Sequence, residues 1–285
     1  MEKIVSHIRP SHMDDFIGLF LLKNFYPSAK IEYINFNDPI LEEYKNNDKI
    51  CLIDVGRNYN ENLLNLDHHH DPNLECSALL VIKYLDKDFY NNYKDFQVLK
   101  YTNHLDLFGP KDLVFNYPLI YNWKRKIITF CDIEKHYKQL TETFLFALSK
   151  YADNYDEFIQ LFVDLNEDIY QELKPLEKEL VHNYNMTLAE AQLYYYNNCT
   201  ILVSNKTLSP FHYKTMYKFN IDIIIEKARG NEHQTAIFRK NIDKHNFDNL
   251  EKFGNIVFKH NSKFLYVIDA NLDNLPLQKV FEAIV

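Results

Sequence analysis

Histidine and aspartate residues follow short apolar runs at several points of the sequence. The run Ile50–Ile53 ends in Asp54, and a second run over residues 63–66 leads directly into the acidic and histidine-rich residues 67–70. Imidazole and carboxylate groups together suit Mn²⁺, Fe²⁺ or Zn²⁺, and Mg²⁺ becomes suitable where oxygens dominate. The sequence therefore predicts one shared metal site. Its potential ligands are His7, His12, Asp14, Asp54, His68 and Asp106.

A site of this kind could hydrolyse phosphate esters. Two cations about 3.5–4 Å apart can clamp a phosphoryl group, activate a water and stabilise the leaving oxygen. Asp54 follows the most apolar run and is the candidate for a carboxylate between the ions. The alternative is structural, because a single histidine near a strand end is usually an ordinary polar residue, and residues 68–70 alone could be a surface histidine tract. Several such groups at successive strand ends favour the metal site.

The elements that must position these groups alternate between strand and helix. Strands are predicted at residues 2–7, 29–36, 49–55 and 63–67, and helices at residues 15–24 and 77–85. The second helix follows from apolar residues that recur with a 3.6-residue period. This alternation predicts an α/β fold with a mostly parallel sheet that is covered on both faces. Ligands of such sheets bind beyond the carboxyl ends of the strands, where most of the candidate ligands lie.

The remainder of the chain is predicted to be helical and then α/β again. Residues 95–125 are less regular, with Pro110 and Pro118 as breakers, and residues 130–197 follow a helical pattern with Pro175 as a kink or break. Strand patterns return at residues 200–204, 221–226, 234–239 and 263–268. The predicted domains are a metal-binding catalytic domain at 1–125, a helical connector at 126–197, and a smaller mixed α/β domain at 198–285. The helical segment is interpreted as a connector or as the surface of a homodimer.

Composition narrows the classes of function. The chain has 5 glycines in 285 residues and no glycine-rich loop of the Rossmann or P-loop type. Its formal charge of −8 disfavours non-specific binding of long polyanions, although it permits a short substrate or a local basic patch. The N-terminus lacks the apolar segment of a signal peptide, and no apolar run reaches the ~18 residues that would span a bilayer. We expect a cytoplasmic protein with no membrane partner.

Several short motifs resemble those of the DHH phosphoesterase superfamily, which is named for an Asp-His-His motif. That motif is present as Asp67-His68-His69, and the N-terminal motif has the form His7-x4-His12-x-Asp14-Asp15, with histidine where the superfamily usually has aspartate. This variant is similar to the UPF0160 (melanocyte-proliferating-gene) type. Further matching segments are Asp54-Val55-Gly56, Cys76-Ser77-Ala78 and, more loosely, residues 257–264.

The resemblance implies specific roles for the candidate residues. It implies that His7, His12 and Asp54 hold one metal ion, and that Asp14, Asp54, His68 and Asp106 hold the other. It also implies that His69 faces the substrate phosphate and that Asp67 orients the histidines. Histidine at position 12 adds a nitrogen and removes a carboxylate, which favours Mn²⁺ over Mg²⁺, with Zn²⁺ as an alternative.

The function implied is metal-dependent hydrolysis of phosphodiester bonds in a nucleotide or a short nucleic acid, in the manner of an exonuclease or oligonuclease. Arg239, His260 and Lys263 would bind substrate phosphates from the C-terminal, substrate-binding domain. One alternative is a phosphatase for a small substrate such as pyrophosphate, polyphosphate or a nucleotide phosphate, although the C-terminal region lacks an obvious cluster of Arg and Lys. The other is a nucleotide- or partner-binding protein without catalytic activity.

Overall fold

The computed structural model describes residues 1–8, 11–36, 38–108, 124, 128–260 and 263–285. The chain divides into two units, Met1–Lys174 and Pro175–Val285. Each unit contains one sheet together with helices, so the predicted α/β class is confirmed. Among the described residues, none of the helices combines the length and the apolar character that a membrane span requires.

The sheet of the first unit is parallel except at one edge. Its strands are β1 (Lys3–His7), β2 (Lys30–Ile34), β3 (Ile50–Ile53), β4 (Tyr59–Asn60) and β5 (Asn65–Leu66), in the spatial order β2-β1-β3-β5-β4. β1 pairs in parallel with β2 and β3, β3 pairs in parallel with β5, and β4 pairs antiparallel with β5. All four residues of β3 are buried, as expected for a strand that is covered on both faces.

The helices of the first unit follow the predicted pattern up to residue 85. They are α1 (Met13–Phe25), α2 (Ile40–Tyr44), α3 (Ser77–Leu85), α4 (Lys87–Tyr93), α5 (Gln97–Phe108), α6 (Ile133–Tyr151) and α7 (Tyr155–Leu165), and α8 (Glu167–Glu190) continues into the second unit. Residues 95–125 were predicted to be irregular, and this prediction is wrong for residues 97–108, which form α5. Asp106 therefore comes from a helix and not from a strand end. The helical pattern of this segment is weak in the sequence, and burial of Val98, Leu99 and Leu107 stabilises the helix. Pro110 and Pro118 lie outside the described residues.

Helix α1 lies close against the central strand of the sheet. A side chain at Gly18 would place its Cβ 2.2 Å from Cδ1 of Ile53 and 3.2 Å from Cγ2 of Val81, so glycine allows this close approach without displacing Ile53. On the other side of α1, the ring of Phe20 packs against Phe144 of α6, with 5.6 Å between ring centroids. This packing sets the start of α1 beside the end of β3, where the predicted ligands lie.

The second unit contains a six-stranded mixed sheet. Its strands are β6 (Gln192–Tyr196), β7 (Cys199–Ser204), β8 (Ile223–Ala228), β9 (Asn231–Arg239), β10 (Ile256–Lys259) and β11 (Leu265–Ile268), in the order β10-β11-β9-β8-β7-β6. Only β7 and β8 are parallel among these pairs. Helices α9 (His212–Lys218) and α10 (Leu277–Ile284) belong to this unit, and Val280, Phe281 and Ile284 of α10 enter the core of the sheet.

The observed division differs from the predicted domain boundaries. Helices α6 and α7 belong to the first unit, whereas the sequence assigns them to a connector. Residues 192–196 were predicted to be helical but form β6, because pairing with β7 and packing of Tyr194 and Tyr196 against the core override local propensity. Pro175 lies inside α8 and does not end it. A proline removes one backbone donor, and a 24-residue helix accommodates this loss. The predicted boundary at residue 125 lies outside the described residues.

Candidate metal centre

The carboxyl ends of three parallel strands carry the residues of the candidate site. His7 ends β1, Asp54 follows β3, and residues 67–69 follow β5. Asp14 joins them from the first turn of α1, and Asp106 joins them from α5. In a parallel sheet these strand ends lie at one edge, so residues far apart in the sequence meet there.

The structure brings potential ligand atoms together in four overlapping sets. Within each set, one ligand atom from every residue lies within 4.8 Å of the others. The sets are Asp54–Asp67–His68–His69, His7–His12–Asp54, His12–Asp14–Asp106 and Asp14–Asp15–Asp54. Each of the six predicted ligands belongs to at least one set, and Asp54 belongs to three of them. The arrangement is therefore a single continuous centre, with Asp54 in its middle.

The ligand atoms converge without forming ordinary hydrogen bonds. Nε2 of His68 lies 2.9 Å from Oδ2 of Asp106 and 3.2 Å from Oδ1 of Asp54, while Nε2 of His7 lies 3.3 Å from Oδ2 of Asp54. These distances are short, but within the described part of the chain neither Nε2 atom makes a directed hydrogen bond, and both carboxylate oxygens of Asp14 also lack a partner. Each unsatisfied buried polar group costs about 1–3 kcal/mol. Buried nitrogen and oxygen atoms aimed at common points fit divalent metal ions.

Histidine 7 is oriented for coordination through one nitrogen. Its Nδ1 lies 2.8 Å from the carbonyl oxygen of Ile8, and a carbonyl can only accept, so Nδ1 carries the proton. In the neutral ring Nε2 is then the atom with a lone pair, and it faces Asp54. The ring is held from one side by Phe36, which stacks on it at 5.1 Å between centroids.

The turn after β3 holds Asp54 in an unusual backbone conformation. Asp54 has φ +54°, and Gly56 and Arg57 also have positive φ values of +104° and +52°. Non-glycine residues in this region are uncommon and tend to occur at functional sites. The side chain of Asp54 is fully buried and accepts a hydrogen bond of 3.1 Å from the hydroxyl of Ser77, at the start of α3. Local backbone geometry and Ser77 thus aim Asp54 into the centre.

Asp67 links the two turns that border the centre. Its Oδ1 accepts from the backbone amide of His69 at 2.9 Å and from Nδ1 of the same ring at 2.7 Å. Its Oδ2 accepts from the backbone amide of Arg57 at 2.5 Å. These contacts orient the His69 ring, whose edge also packs against Phe36 at 5.6 Å.

Many buried acids lie close together in the cluster, and this shifts the pKa values of its groups. Burial, together with Asp106 and Asp54, raises the pKa of Asp14 well above its usual value, and burial raises the pKa of Asp15 to about 7. Burial alone would lower the pKa of His68, but the carboxylates of Asp106 and Asp54 raise it to about 12. Protons on the imidazoles thus offset the carboxylates. Metal ligands must be deprotonated, so a bound ion would replace these protons.

The predicted substrate-binding residues lie in the second unit and have different surroundings. Arg239 is buried, its Nε donates to the carbonyl of Lys263 at 2.7 Å, and its guanidinium lies over the ring of Phe247 at 4.5 Å. A further donor of Arg239 reaches the carbonyl of His245. These contacts show a guanidinium that holds backbone in place, and its phosphate-binding role remains a prediction.

His260 and Lys263 are linked through their backbones, because the amide of Lys263 donates to the carbonyl of His260 at 2.8 Å while its own carbonyl accepts from Arg239. His260 is buried, with its ring 4.2 Å from that of Phe264 and 6.4 Å from that of Phe258, whereas Lys263 is exposed and has φ +57°. A bulge between Ile256 and Phe258 interrupts β10, so strict alternation of faces does not hold along this strand. The phosphate-binding roles of His260 and Lys263 remain predictions.

Sequence reasoning missed three residues of the centre. Asp15 is buried beside Asp14, Ser77 holds Asp54, and Phe36 contacts two of the histidines. A signal existed for each of them. Asp15 is the second acid of an Asp-Asp pair, Ser77 lies in the quoted Cys-Ser-Ala segment, and Phe36 lies just after β2, at the same edge of the sheet.

Comparisons with known proteins find few relatives. No family model matches the chain, and no curated protein matches it. Among solved structures, the chain is similar to the pGpG-specific phosphodiesterase PggH from Vibrio cholerae, with 12% sequence identity and a TM-score of 0.45 over 99% of this chain and 96% of that chain. A likeness at this level does not identify the family or the activity of the chain.

Proposed function

We propose that the chain is a metal-dependent phosphoesterase of the DHH type, near UPF0160, that hydrolyses phosphodiester bonds in nucleotides or short nucleic acids. The observation that carries the proposal is the convergence of buried, unpartnered imidazole and carboxylate atoms at the carboxyl edge of a parallel sheet. The motifs at His7–Asp15 and Asp67–His69 agree with this assignment. The net charge of −8 favours a short substrate over a long polyanion.

The donor set suits two divalent cations. One ion would be held by His7, His12 and Asp54, and the other by Asp14, Asp106 and His68, with Asp54 shared. The high share of imidazole nitrogen favours Mn²⁺, with Zn²⁺ or Mg²⁺ as alternatives. When bound, such ions polarise a phosphoryl group and lower the pKa of water, which supplies a nucleophile near neutral pH.

Residues of the chain would orient the ligands of the metal ions, and His69 would hydrogen-bond the substrate. Asp67 holds the His69 ring through Nδ1, so its other nitrogen would be the one to hydrogen-bond a phosphate oxygen. Ser77 and the positive φ of Asp54 keep the shared carboxylate directed into the centre. In the second unit, His260 and Lys263 are the proposed contacts for additional substrate phosphates, and Arg239 would support them indirectly through its bond to the carbonyl of Lys263.

A panel of phosphate compounds in the presence of Mn²⁺ tests this proposal. It contains bis-p-nitrophenyl phosphate, linear dinucleotides, short RNA and DNA oligonucleotides, and pyrophosphate. We expect hydrolysis of the diester reporter and of dinucleotides or oligonucleotides, and no hydrolysis after treatment with a chelator. Turnover confined to pyrophosphate would replace the proposal with the small-molecule phosphatase.

Two variants make the test specific to the centre. Asp54→Asn removes the shared carboxylate, whereas Asp86→Asn changes an exposed aspartate that caps α4 through the amide of Phe89 at 2.9 Å. Only the first should lose activity. Equal activity in both variants, or a wild-type protein that neither binds metal nor hydrolyses any compound of the panel, would contradict the proposal.

A further inference from the structure

Asp15 is a buried carboxylate that none of the assigned roles uses. It follows Asp14 in the first turn of α1, and its side chain is fully buried. Its Oδ2 lies 3.5 Å from Nε2 of His7 and accepts a bond of 3.3 Å from the hydroxyl of Ser6. One carboxylate oxygen therefore already faces the same nitrogen that Asp54 approaches.

The second carboxylate oxygen of Asp15 has no hydrogen-bond partner among the residues that the structure describes. Oδ1 is buried and unsatisfied, as are both oxygens of Asp14 and Oδ2 of Asp54. These three carboxylates form one of the four potential metal-binding sets, with one oxygen of each within 4.8 Å of the others. Three buried acids so close together repel one another unless positive charge offsets them, which protonated imidazoles supply in the metal-free protein and a bound cation would supply in their place.

The two ligand sets that contain His12 differ in their number of carboxylates. The set His12–Asp14–Asp106 already contains two carboxylates, which match one divalent ion. The set His7–His12–Asp54 has a single carboxylate, and Asp54 is also shared with the set that contains His68 and His69. Asp15 faces Nε2 of His7 and would add the missing negative charge.

We infer that Asp15 is a direct ligand of the metal ion held by His7, His12 and Asp54. This inference rests on the metal centre of the proposed function and adds a ligand to it. It also explains why two successive acidic residues at the start of α1 are both buried. The site would then contain one more oxygen ligand than the sequence motif indicates.

A purely structural role is the competing explanation. An acidic residue at the third position of a helix can bond back to the amide before the helix and stabilise its first turn. Asp15 is placed for that, with the His12 amide and the Ser11 hydroxyl near its carboxylate. The Ser11 hydroxyl nevertheless has no hydrogen-bond partner of its own, so these contacts do not satisfy Asp15 fully.

Asp15→Asn separates the two explanations because they predict opposite changes in the metal-free protein. A capping residue stabilises the apo protein, so its loss lowers the unfolding temperature in EDTA. A metal ligand among other buried acids destabilises the apo protein, so its neutralisation leaves that temperature equal or higher. Mn²⁺ affinity, followed by electron paramagnetic resonance of free Mn²⁺ without substrate, should fall by more than about 100-fold, beyond the 10–100-fold typical of residues that only orient a ligand.

The matched control is Asp86→Asn, which should leave both Mn²⁺ affinity and the unfolding temperature near the wild-type values. Any smaller loss of Mn²⁺ affinity in Asp15→Asn, or a lowered unfolding temperature in EDTA, overturns the inference. If Asp15→Asn does not fold, Asp15→Ser is measured in the same way. A wild-type protein that binds Mn²⁺ but hydrolyses nothing rejects the proposed function alone, whereas a wild type that binds no metal rejects both.

Discussion

Each unit of the protein buries carboxylates in its sheet region, and Glu226 of the second unit contrasts with Asp14 and Asp54 of the first in its hydrogen-bond partners. In the second unit, Glu226 lies within β8, is almost fully buried and accepts three hydrogen bonds. Its oxygens accept from the hydroxyl of Thr207 at 2.8 Å, from the amide of Leu208 at 2.8 Å and from Nε2 of His212 at 2.7 Å. Glu226 therefore has its partners within the fold.

Two carboxylates of the metal centre in the first unit, Asp14 and Asp54, lack such a complete set of partners. Among the described residues, Asp14 has no donor on either oxygen, and Asp54 has the hydroxyl of Ser77 on Oδ1 but no hydrogen-bond partner on Oδ2. The adjacent histidines approach at short distances without directed bonds. Burial alone therefore does not mark a functional acid. The distinguishing property is the combination of burial, convergence and missing donors, since a folded protein rarely leaves such groups unsatisfied unless they bind something.

The largest effect is expected from Asp54→Asn. Asparagine tolerates the positive φ of Asp54 and has nearly the same volume, so the fold should persist. The shared ligand charge is lost, and we expect activity on a diester substrate to fall by about 1000-fold or more, the scale of losing a central catalytic group. Steady-state hydrolysis and circular dichroism measure the two quantities. Retention of more than a tenth of the activity would remove Asp54 from its central place.

Addition of Mn²⁺ should raise the unfolding temperature through the carboxylates of the metal centre and not through Glu226. An ion that binds only the folded state stabilises it by about 2.7 kcal/mol when it is present at 100 times its dissociation constant. Thermal unfolding with and without Mn²⁺ should therefore show a clear upward shift for the wild type. The shift should disappear in Asp54→Asn and persist in Glu226→Gln. A shift of the same size in all three proteins would mean that Mn²⁺ acts elsewhere.

Glu226→Gln should destabilise the protein without touching the metal centre. The amide group of glutamine places a donor where Glu226 accepts from the backbone amide of Leu208 or from His212. Either one buried donor then lacks an acceptor, or His212 must accept and the charge-assisted bond to the carboxylate is lost; the cost is about 1–3 kcal/mol. Chemical denaturation measures this loss, and Mn²⁺ affinity should equal that of the wild type. An unchanged free energy of unfolding would contradict the contrast between Glu226, which has hydrogen-bond partners, and the carboxylates of Asp14 and Asp54.

The smallest expected effect is a change in metal preference in His12→Asp. His12 precedes α1 with an extended backbone and belongs to two of the potential ligand sets. Replacing its nitrogen with carboxylate oxygen should keep the fold and raise activity with Mg²⁺ relative to Mn²⁺ by several-fold to about tenfold, because hard oxygen ligands suit Mg²⁺. The ratio of the two activities is the measurement. An unchanged ratio would show that His12 does not coordinate the ion.

The sequence by itself determined the class of fold and the chemical type of the centre. Apolar runs and helical periodicity located β1, β3, α1 and α3 to within a few residues, because these elements are buried on most sides and their patterns are strong. The acids and histidines that end the strands then followed from the rule that parallel strands share a carboxyl edge. The sequence thus named as ligands six of the nine residues in the four sets, although two of those six, Asp14 and Asp106, lie in helices and not at strand ends.

Only the tertiary structure decided which atoms converge and which do not. Asp106 reaches the centre from helix α5, whose position depends on packing that local propensity does not encode. Arg239 looked available in the sequence, yet its guanidinium is buried against Phe247 and bonded to backbone carbonyls. Asp14 and Asp15 are adjacent aspartates of one motif, and the sequence alone does not distinguish their roles. In the folded protein, contacts with His7 and Asp54, which come from separate strands, distinguish the two aspartates. Such contacts cannot be found in the sequence, because folding must first bring the donors and acceptors within a few ångströms of one another.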